Sequence, residues 1–145
     1  MTMTDVRAAA LGEFPAPPPC PKWCTTNHEM DDYKTAVSWN RRHKMWGKAI
    51  DVADGGLVSV NLLTGENFVG DRWEDRQPVE LMLIPQFEDD TDSAKGVLWF
   101  VMRDREAVRA LLTLARMISP KVLAAVQTAV DLARSPEVTP AGEDQ

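Results

Sequence analysis

Both cysteines and both histidines of this 145-residue chain lie in one stretch near the N-terminus. They are Cys20, Cys24, His28 and His43, with the spacing C-x3-C-x3-H-x14-H. Two thiolates and two imidazoles make a complete tetrahedral ligand set for zinc. Because protein atoms would fill all four positions, we expect a structural zinc; a catalytic zinc keeps one position open for water. Iron–sulfur clusters usually take four cysteines, which also favours zinc.

The spacing of these residues constrains the path of the chain. One helical turn brings Cys20 and Cys24 onto one face, but an unbroken helix would place His28 roughly 12 Å along the axis from Cys20. Metal–ligand bonds of about 2.0–2.3 Å cannot span that distance. We therefore predict a turn at residues 25–27, whose residue types favour turns, and a return of the chain at His43. The spacing differs from that of a DNA-reading zinc finger.

Two other interpretations of these four residues stay open. The cysteines can be small buried apolar residues with both histidines at the surface, or they can form a redox or disulfide pair. No apolar run has the length that a signal peptide or a membrane span needs, so we expect a cytoplasmic protein. Stable disulfides are rare in that compartment.

The run Cys20-Pro21-Lys22-Trp23-Cys24, followed by the two histidines, resembles the start of a small uncharacterised domain family of actinobacteria and their phages. That family opens with C-P-x-W-C, continues with a valine-rich strand region and ends in a helix rich in Glu, Ala and Leu. Residues 58–60 and 106–112 occupy those places here. The chain departs from the family in Asn27, where an Asp commonly precedes the histidine, and in a second helix after Pro120. The family has no assigned activity, so the resemblance implies a metal-type site and no reaction.

A basic and aromatic segment covers residues 34–48, which contain five Lys or Arg and no acid. Basic side chains interleaved with tryptophans can bind a phosphate backbone and stack on bases. The alternative is that the tryptophans face the core and the charges are solvated. The candidate contacts for nucleic acid or another partner are Arg41, Arg42, Lys44, Lys48, Trp39 and Trp46.

The rest of the chain has the opposite charge. The formal net charge is −6, which argues against nucleic-acid binding through bulk charge. Residues 71–92 carry eight acids and two arginines. A basic face and an acidic face on one domain favour head-to-tail contacts or charge-steered partners; the alternative is that both charged runs are solvated surface. The acidic run at residues 88–92 lacks the glycine and the distal glutamate of a calcium loop.

These candidate residues must be positioned by strands and helices, and the first part of the chain predicts strands. Residues 54–56 and 64–66 are turn signals, and Pro85 closes a strand because proline is disfavoured within central strands. The apolar residues that share one face between the turns are Val58, Val60 and Leu62. The predicted strands cover residues 45–52, 57–63, 79–84 and 96–102, with weak pairing at 67–69 and a long loop at 86–95.

The hydrophobic period changes after residue 103. Apolar residues recur at three- and four-residue spacing and predict two amphipathic helices, the first capped by Asp104 and the second beginning at Ser119 and Pro120. Strands followed by helices indicate an α+β fold. We predict a small antiparallel sheet with one or two C-terminal helices on one face and an N-terminal zinc-bound segment. This domain covers residues 20–134, between a Pro-rich disordered arm at 1–19 and a flexible acidic tail at 135–145.

Three functions are compatible with these features. The sequence lacks the motifs of nucleotide-binding loops, serine hydrolases and deaminases, so the first prediction is a non-enzymatic, zinc-stabilised domain that binds a protein. If the gene is phage-borne, that protein is a host regulatory or defence protein. The second prediction is a nucleic-acid-binding accessory protein that uses the basic and aromatic segment. The third is a small metal-dependent hydrolase with fewer than four protein ligands, in which Glu29 or an acidic neighbour takes part.

Overall fold

The computed structural model describes residues 15–28, 38–87 and 96–134. Within these residues an antiparallel sheet is followed by two helices, which confirms the predicted α+β class. The strands are β1 (Ser38–Met45), β2 (Ile50–Asp51), β3 (Gly56–Val69), β4 (Arg72–Trp73), β5 (Glu80–Phe87) and β6 (Leu98–Val101). The helices are α1 (Arg105–Ile118) and α2 (Pro120–Arg134).

Strand β3 is the centre of the sheet. It pairs with β5 through residues 56–63 and with β1 through residues 62–69, and β6 lies beyond β5. The two short strands β2 and β4 pair with opposite ends of β3. The predicted apolar face of β3 is buried in one core with both helices, together with Leu81 and Leu83 of β5. Because a strand alternates its two faces, the same face continues from this core to residues 64, 66 and 68.

The two helices begin where the sequence predicts. The Asp104 carboxylate accepts hydrogen bonds from the backbone N–H groups of Glu106 (2.9 Å) and Ala107 (3.4 Å). The Ser119 hydroxyl accepts one from the Val122 N–H (3.1 Å). These bonds satisfy N–H groups that have no partner inside the helix. In the described part of the chain, neither helix is long and apolar enough to cross a membrane.

The predicted turn at residues 64–66 is wrong, because β3 continues through these residues to Val69. Gly65 is needed there for a different reason. A Cβ atom on Gly65 would lie 2.8 Å from the carbonyl oxygen of Arg41, so the glycine permits β1 to approach closely. The turn occurs later, at Gly70, whose φ of 66° suits a residue without a side chain.

The predicted strand at residues 45–52 is also corrected. β1 ends at Met45, and β2 contains only Ile50–Asp51. β1 itself was not predicted, because its buried positions include Arg41 and His43. A strand with polar residues on its buried face does not show the alternation of apolar and polar residues by which strands are recognised.

Strand β5 extends past Pro85 to Phe87, so the proline does not close it. Strand β6 pairs only with residues 80–83, and Pro85 therefore lies beyond the end of β6. Proline has no backbone N–H, so a strand tolerates it where no neighbouring strand needs that hydrogen bond. Strand β6 is also shorter than predicted. The acidic run at residues 88–92 and most of the predicted loop, like residues 1–14 and 135–145, lie outside the described residues.

Candidate metal centre

A short hydrogen-bonded turn positions the N-terminal ligands. The Cys24 N–H donates to the Pro21 carbonyl (3.0 Å). Thr25 then joins this segment to β1, because its N–H and its hydroxyl both donate to the Lys44 carbonyl (3.0 and 3.1 Å). The recorded turn thus precedes Cys24, and the predicted turn at residues 25–27 is corrected. The hydrogen bonds of Thr25 to Lys44, near the end of β1, hold this segment in place instead of a turn at residues 25–27.

The four residues singled out from the sequence lie close together and could hold a metal ion. One ligand atom each from Cys20, Cys24, His28 and His43 lies within 4.8 Å of the others. Cys24 Sγ is 3.5 Å from His28 Nε2 and 3.4 Å from His43 Nδ1. In a tetrahedral zinc site, bonds of about 2.0–2.3 Å separate a sulfur from a nitrogen by roughly 3.5–3.6 Å. The two measured distances are close to this tetrahedral edge.

The other interpretations of the four residues fit the structure less well. His43 is fully buried and His28 is half-buried, so the histidines are not a pair of surface residues. The two imidazole rings are 5.0 Å apart between centroids and meet edge to face. Both cysteines are free and half-buried. Among the cysteine, histidine and acidic side chains of the described residues, these four form the group that is compact enough to hold a metal ion.

Glu66 orients the buried imidazole of His43. Its carboxylate is fully buried, and Oε1 lies 2.7 Å from His43 Nε2. An ionised carboxylate only accepts hydrogen bonds, so in the neutral imidazole that a metal requires, Nε2 carries the N–H group and donates a hydrogen bond to Glu66. The lone pair is then on Nδ1, which faces Cys24 Sγ. A carboxylate behind a metal-binding histidine fixes its tautomer and raises its basicity, so the pair suits a metal ligand.

Two arginines pair with the buried Glu66 carboxylate. Arg41 donates through Nη1 to Oε1 (2.9 Å), and Arg76 donates through Nε to Oε2 (2.9 Å). Arg41 also donates through Nη2 to Cys20 Sγ (3.3 Å), which brings a positive charge to one of the candidate ligands. A buried charge is tolerated only where it is paired and hydrogen-bonded. Glu66, Arg41 and Arg76 therefore form one ionic cluster behind the four candidate ligands.

The surroundings shift two pKa values in opposite directions. Burial opposes ionisation of Glu66, but hydrogen bonds from His43, Arg41 and Arg76 outweigh it and lower the pKa to about 2. Burial raises the pKa of the Cys20 thiol, an effect that the nearby Arg41 offsets only in part. Metal binding by this cluster would therefore release a proton from Cys20, as it does for thiol ligands in general.

The described end of the Pro-rich arm packs against this ionic cluster. Arg41 Nη1 donates to the Pro18 carbonyl (2.9 Å), and Arg76 Nη2 donates to the Pro19 carbonyl. Trp73 Nε1 donates to the Pro15 carbonyl (3.4 Å). Proline carbonyls accept hydrogen bonds although proline has no N–H to donate. The arginines thus connect the residues preceding Cys20 to the sheet.

The predicted partner-contact residues divide into those that the fold buries at least in part and those that stay accessible at the surface. Arg41 is buried among the ionic cluster, whereas Arg42 and Lys48 are exposed. Trp46 is exposed, with Lys44 Nζ 5.7 Å from the centroid of its ring. Trp39 is half-buried, and its indole N–H is buried without an acceptor among the described residues. Arg42, Lys44, Lys48 and Trp46 thus remain at least partly accessible at the surface.

Sequence reasoning missed Glu66 and Arg76, and it assigned Arg41 to a surface contact. Glu66 was obscured by the adjacent glycine, which resembles a turn signal. One signal was available: extending the alternation of Val60 and Leu62 puts Glu66 on the buried face of β3. Nothing in the sequence alone pairs that glutamate with His43, because the pairing depends on the register of β1 against β3.

Comparison of the chain with family models, with curated proteins and with solved structures finds no match.

Proposed function

We infer that Cys20, Cys24, His28 and His43 bind one zinc ion. The observation that carries this inference is the set of four ligand atoms within 4.8 Å of one another. Two thiolates and two neutral imidazoles balance the charge of a divalent ion, and tetrahedral sulfur and nitrogen ligation is typical of zinc. The Glu66 carboxylate supports the assignment of a metal site, because a zinc-bound histidine usually donates its other N–H to such a group.

The zinc has a structural role in this proposal. Four protein ligands leave no position for the water molecule that a hydrolytic zinc activates. The ion instead joins two parts of the chain that are distant in sequence: the N-terminal segment with Cys20, Cys24 and His28, and strand β1 with His43. The buried side chain of Trp23 places this N-terminal segment in the hydrophobic core, so the metal and the core stabilise the same segment.

A structural metal centre favours the first functional prediction, a non-enzymatic domain that binds a partner protein. The metal-dependent hydrolase has less support, because it needs one of the four ligands to be absent; Glu29 lies outside the described residues. The prediction of nucleic-acid binding through residues 34–48 is weakened, because Arg41 is buried and cannot contact a phosphate backbone. Membership of the actinobacterial and phage family, and hence a host protein as the partner, stays part of this proposal and rests on the C-P-x-W-C motif.

Metal analysis tests the proposal directly. Protein purified without added metal is expected to contain about one zinc per chain, and Cys24→Ser is expected to lose it together with several kcal/mol of stability. Thr25→Ser is a matched control, because it keeps the hydroxyl that donates to Lys44 and adds or removes no ligand. A folded, metal-free wild-type protein whose melting temperature equals that of Cys24→Ser would overturn the proposal.

A further inference from the structure

A groove lined by arginines lies where the two helices meet the end of the sheet. Four arginines line it: Arg103, Arg105, Arg109 and Arg134. Its volume is about 570 Å³. The described residues that line it include no acid, although the chain as a whole has a net charge of −6. We call this feature the arginine groove.

Tertiary structure brings these arginines together. Arg105 and Arg109 are four residues apart on α1 and so share one face of the helix. Arg134 is the last residue of α2, and the antiparallel packing of the two helices returns it to the beginning of α1. All four arginines are exposed, and none of them takes part in an ion pair among the described residues.

Two features of this arrangement are unfavourable in the free protein. Like charges four residues apart on a helix repel each other, and a positive charge in the first helical turn is unfavourable beside the positive end of the helix dipole. Arg105 has both disadvantages. The Asp104 carboxylate is adjacent, but it accepts the hydrogen bonds of the helix N-terminus. An anionic partner would relieve the repulsion among the four guanidinium groups.

The floor of the groove indicates what kind of anion fits. Met102 and Val108 line it and are buried, and Leu112 is half-buried. An apolar floor with a basic rim suits a peptide that carries carboxylates around an apolar side chain. Single-stranded nucleic acid binds instead on exposed aromatic rings. The exposed Trp46 and Trp99 are not among the described residues that line this groove.

We propose that the arginine groove binds an acidic peptide segment of a partner protein, with its carboxylates on the guanidinium groups and an apolar side chain on the floor. Arginine suits this role because its planar guanidinium donates two parallel hydrogen bonds to one carboxylate. The proposal rests on the proposed function, since it names the class of partner that the domain recognises. It does not depend on the metal centre, whose residues are separate from the groove.

Fluorescence anisotropy with the full chain tests the proposal. The probe is a short fluorescein-labelled peptide in which glutamates flank a single leucine, and lysines replace the glutamates in the control peptide. The wild-type protein is expected to bind the acidic probe and not the basic one. Binding should weaken as salt rises. Replacing the leucine of the probe by glycine should also weaken binding, because the apolar floor then loses its contact.

Charge reversal locates the site. The double variant Arg105→Glu and Arg109→Glu is expected to weaken probe binding at least about tenfold, because like charges then face each other across the interface. The control is the double variant Arg116→Glu and Lys121→Glu, which changes the net charge equally where α1 ends and α2 begins; neither residue lines the groove. This control should bind the probe within about twofold of the wild type, since screened charges act mainly at short range. Melting temperature and zinc content are measured in every sample, so that loss of folding or of metal is separated from loss of binding.

Three results would overturn the proposal. The first is no binding of the acidic probe to folded, metal-loaded wild type. The second is an equal loss of binding in both double variants, which would mean that only bulk charge matters. The third is binding of oligodeoxythymidylate that depends on Arg105 and Arg109 more strongly than peptide binding does, which would assign the groove to nucleic acid. Failure of the metal centre would appear separately, as absent zinc in the wild-type protein.

Discussion

Arginines occupy opposite surroundings in two regions of this molecule. Behind the candidate ligands, Arg41 and Arg76 are paired with the fully buried carboxylate of Glu66. In the arginine groove, four exposed guanidinium groups lie together without a described carboxylate partner. In the first region each guanidinium is paired with a carboxylate of the chain. In the second the guanidinium groups have no such partner among the described residues, and this difference distinguishes a structural element from a surface available to a partner.

The largest expected effect follows removal of the metal. A chelator added to the wild-type protein should lower the free energy of unfolding by about 5 kcal/mol or more, because binding energy at a structural zinc is folding energy. Urea denaturation with and without the chelator measures the change. The same chelator should leave Cys24→Ser unaffected, since that variant has no complete site to lose. Equal sensitivity of the two proteins would show that the chelator acts elsewhere.

Removing the buried negative charge should have the next largest effect. Glu66→Gln leaves Arg41 and Arg76 without their carboxylate and is expected to cost about 3–5 kcal/mol, as when one partner of a buried ion pair is deleted. Zinc affinity should fall about 10–100-fold, because the group behind His43 loses its charge.

Glu80→Gln is the matched control for this substitution. It makes the same chemical change at Glu80, the partly exposed first residue of β5. The free energy of unfolding should there change by no more than about 0.5 kcal/mol. Urea denaturation and competition with a zinc chelator measure both quantities. Similar values for the two variants would contradict the role given to Glu66.

The same substitution in both regions compares them directly. Arg41→Lys keeps the charge but cannot reproduce bonds to Glu66, Cys20 and the Pro18 carbonyl at once, so a loss of about 1.5–3 kcal/mol is expected. Arg109→Lys in the arginine groove should change the free energy of unfolding by less than about 0.5 kcal/mol. Thermal or urea unfolding of the two variants decides whether guanidinium geometry matters only in the buried cluster.

The smallest expected effect has the opposite sign. Replacing Arg105 by Gln removes a repulsive charge from the first turn of α1 and should stabilise the protein by about 0.3–0.5 kcal/mol at low salt. Arg116→Gln, in the last turn of the same helix, should destabilise it by a similar amount, because a positive charge there is favourable. Both differences should shrink as salt is added, and urea unfolding at two ionic strengths measures them. A stability loss in Arg105→Gln would contradict the repulsion inferred for the groove.

The features that local sequence determines were predictable. The helices were predictable from the spacing of apolar residues and from Asp104 and Ser119 as N-caps. Both signals depend only on residues a few positions apart in the sequence. The candidate ligands are predictable from residue type, because Cys and His are the typical ligands of a structural zinc and this chain has four of them in one segment. The apolar face of β3 follows from its alternation. The predicted domain boundaries stay predictions.

Tertiary structure alone decided how charged residues are used. Glu66 meets His43 only because β1 pairs with β3 in one register, and a shift by one residue would turn the glutamate to the other face. Arg134 joins Arg105 and Arg109 only because α2 packs antiparallel to α1. A charged residue has no periodic pattern that reveals its partner, since pairing depends on distance and burial. The sequence therefore determined which groups can bind a metal, and the fold decided which charges neutralise one another and which remain available to a partner.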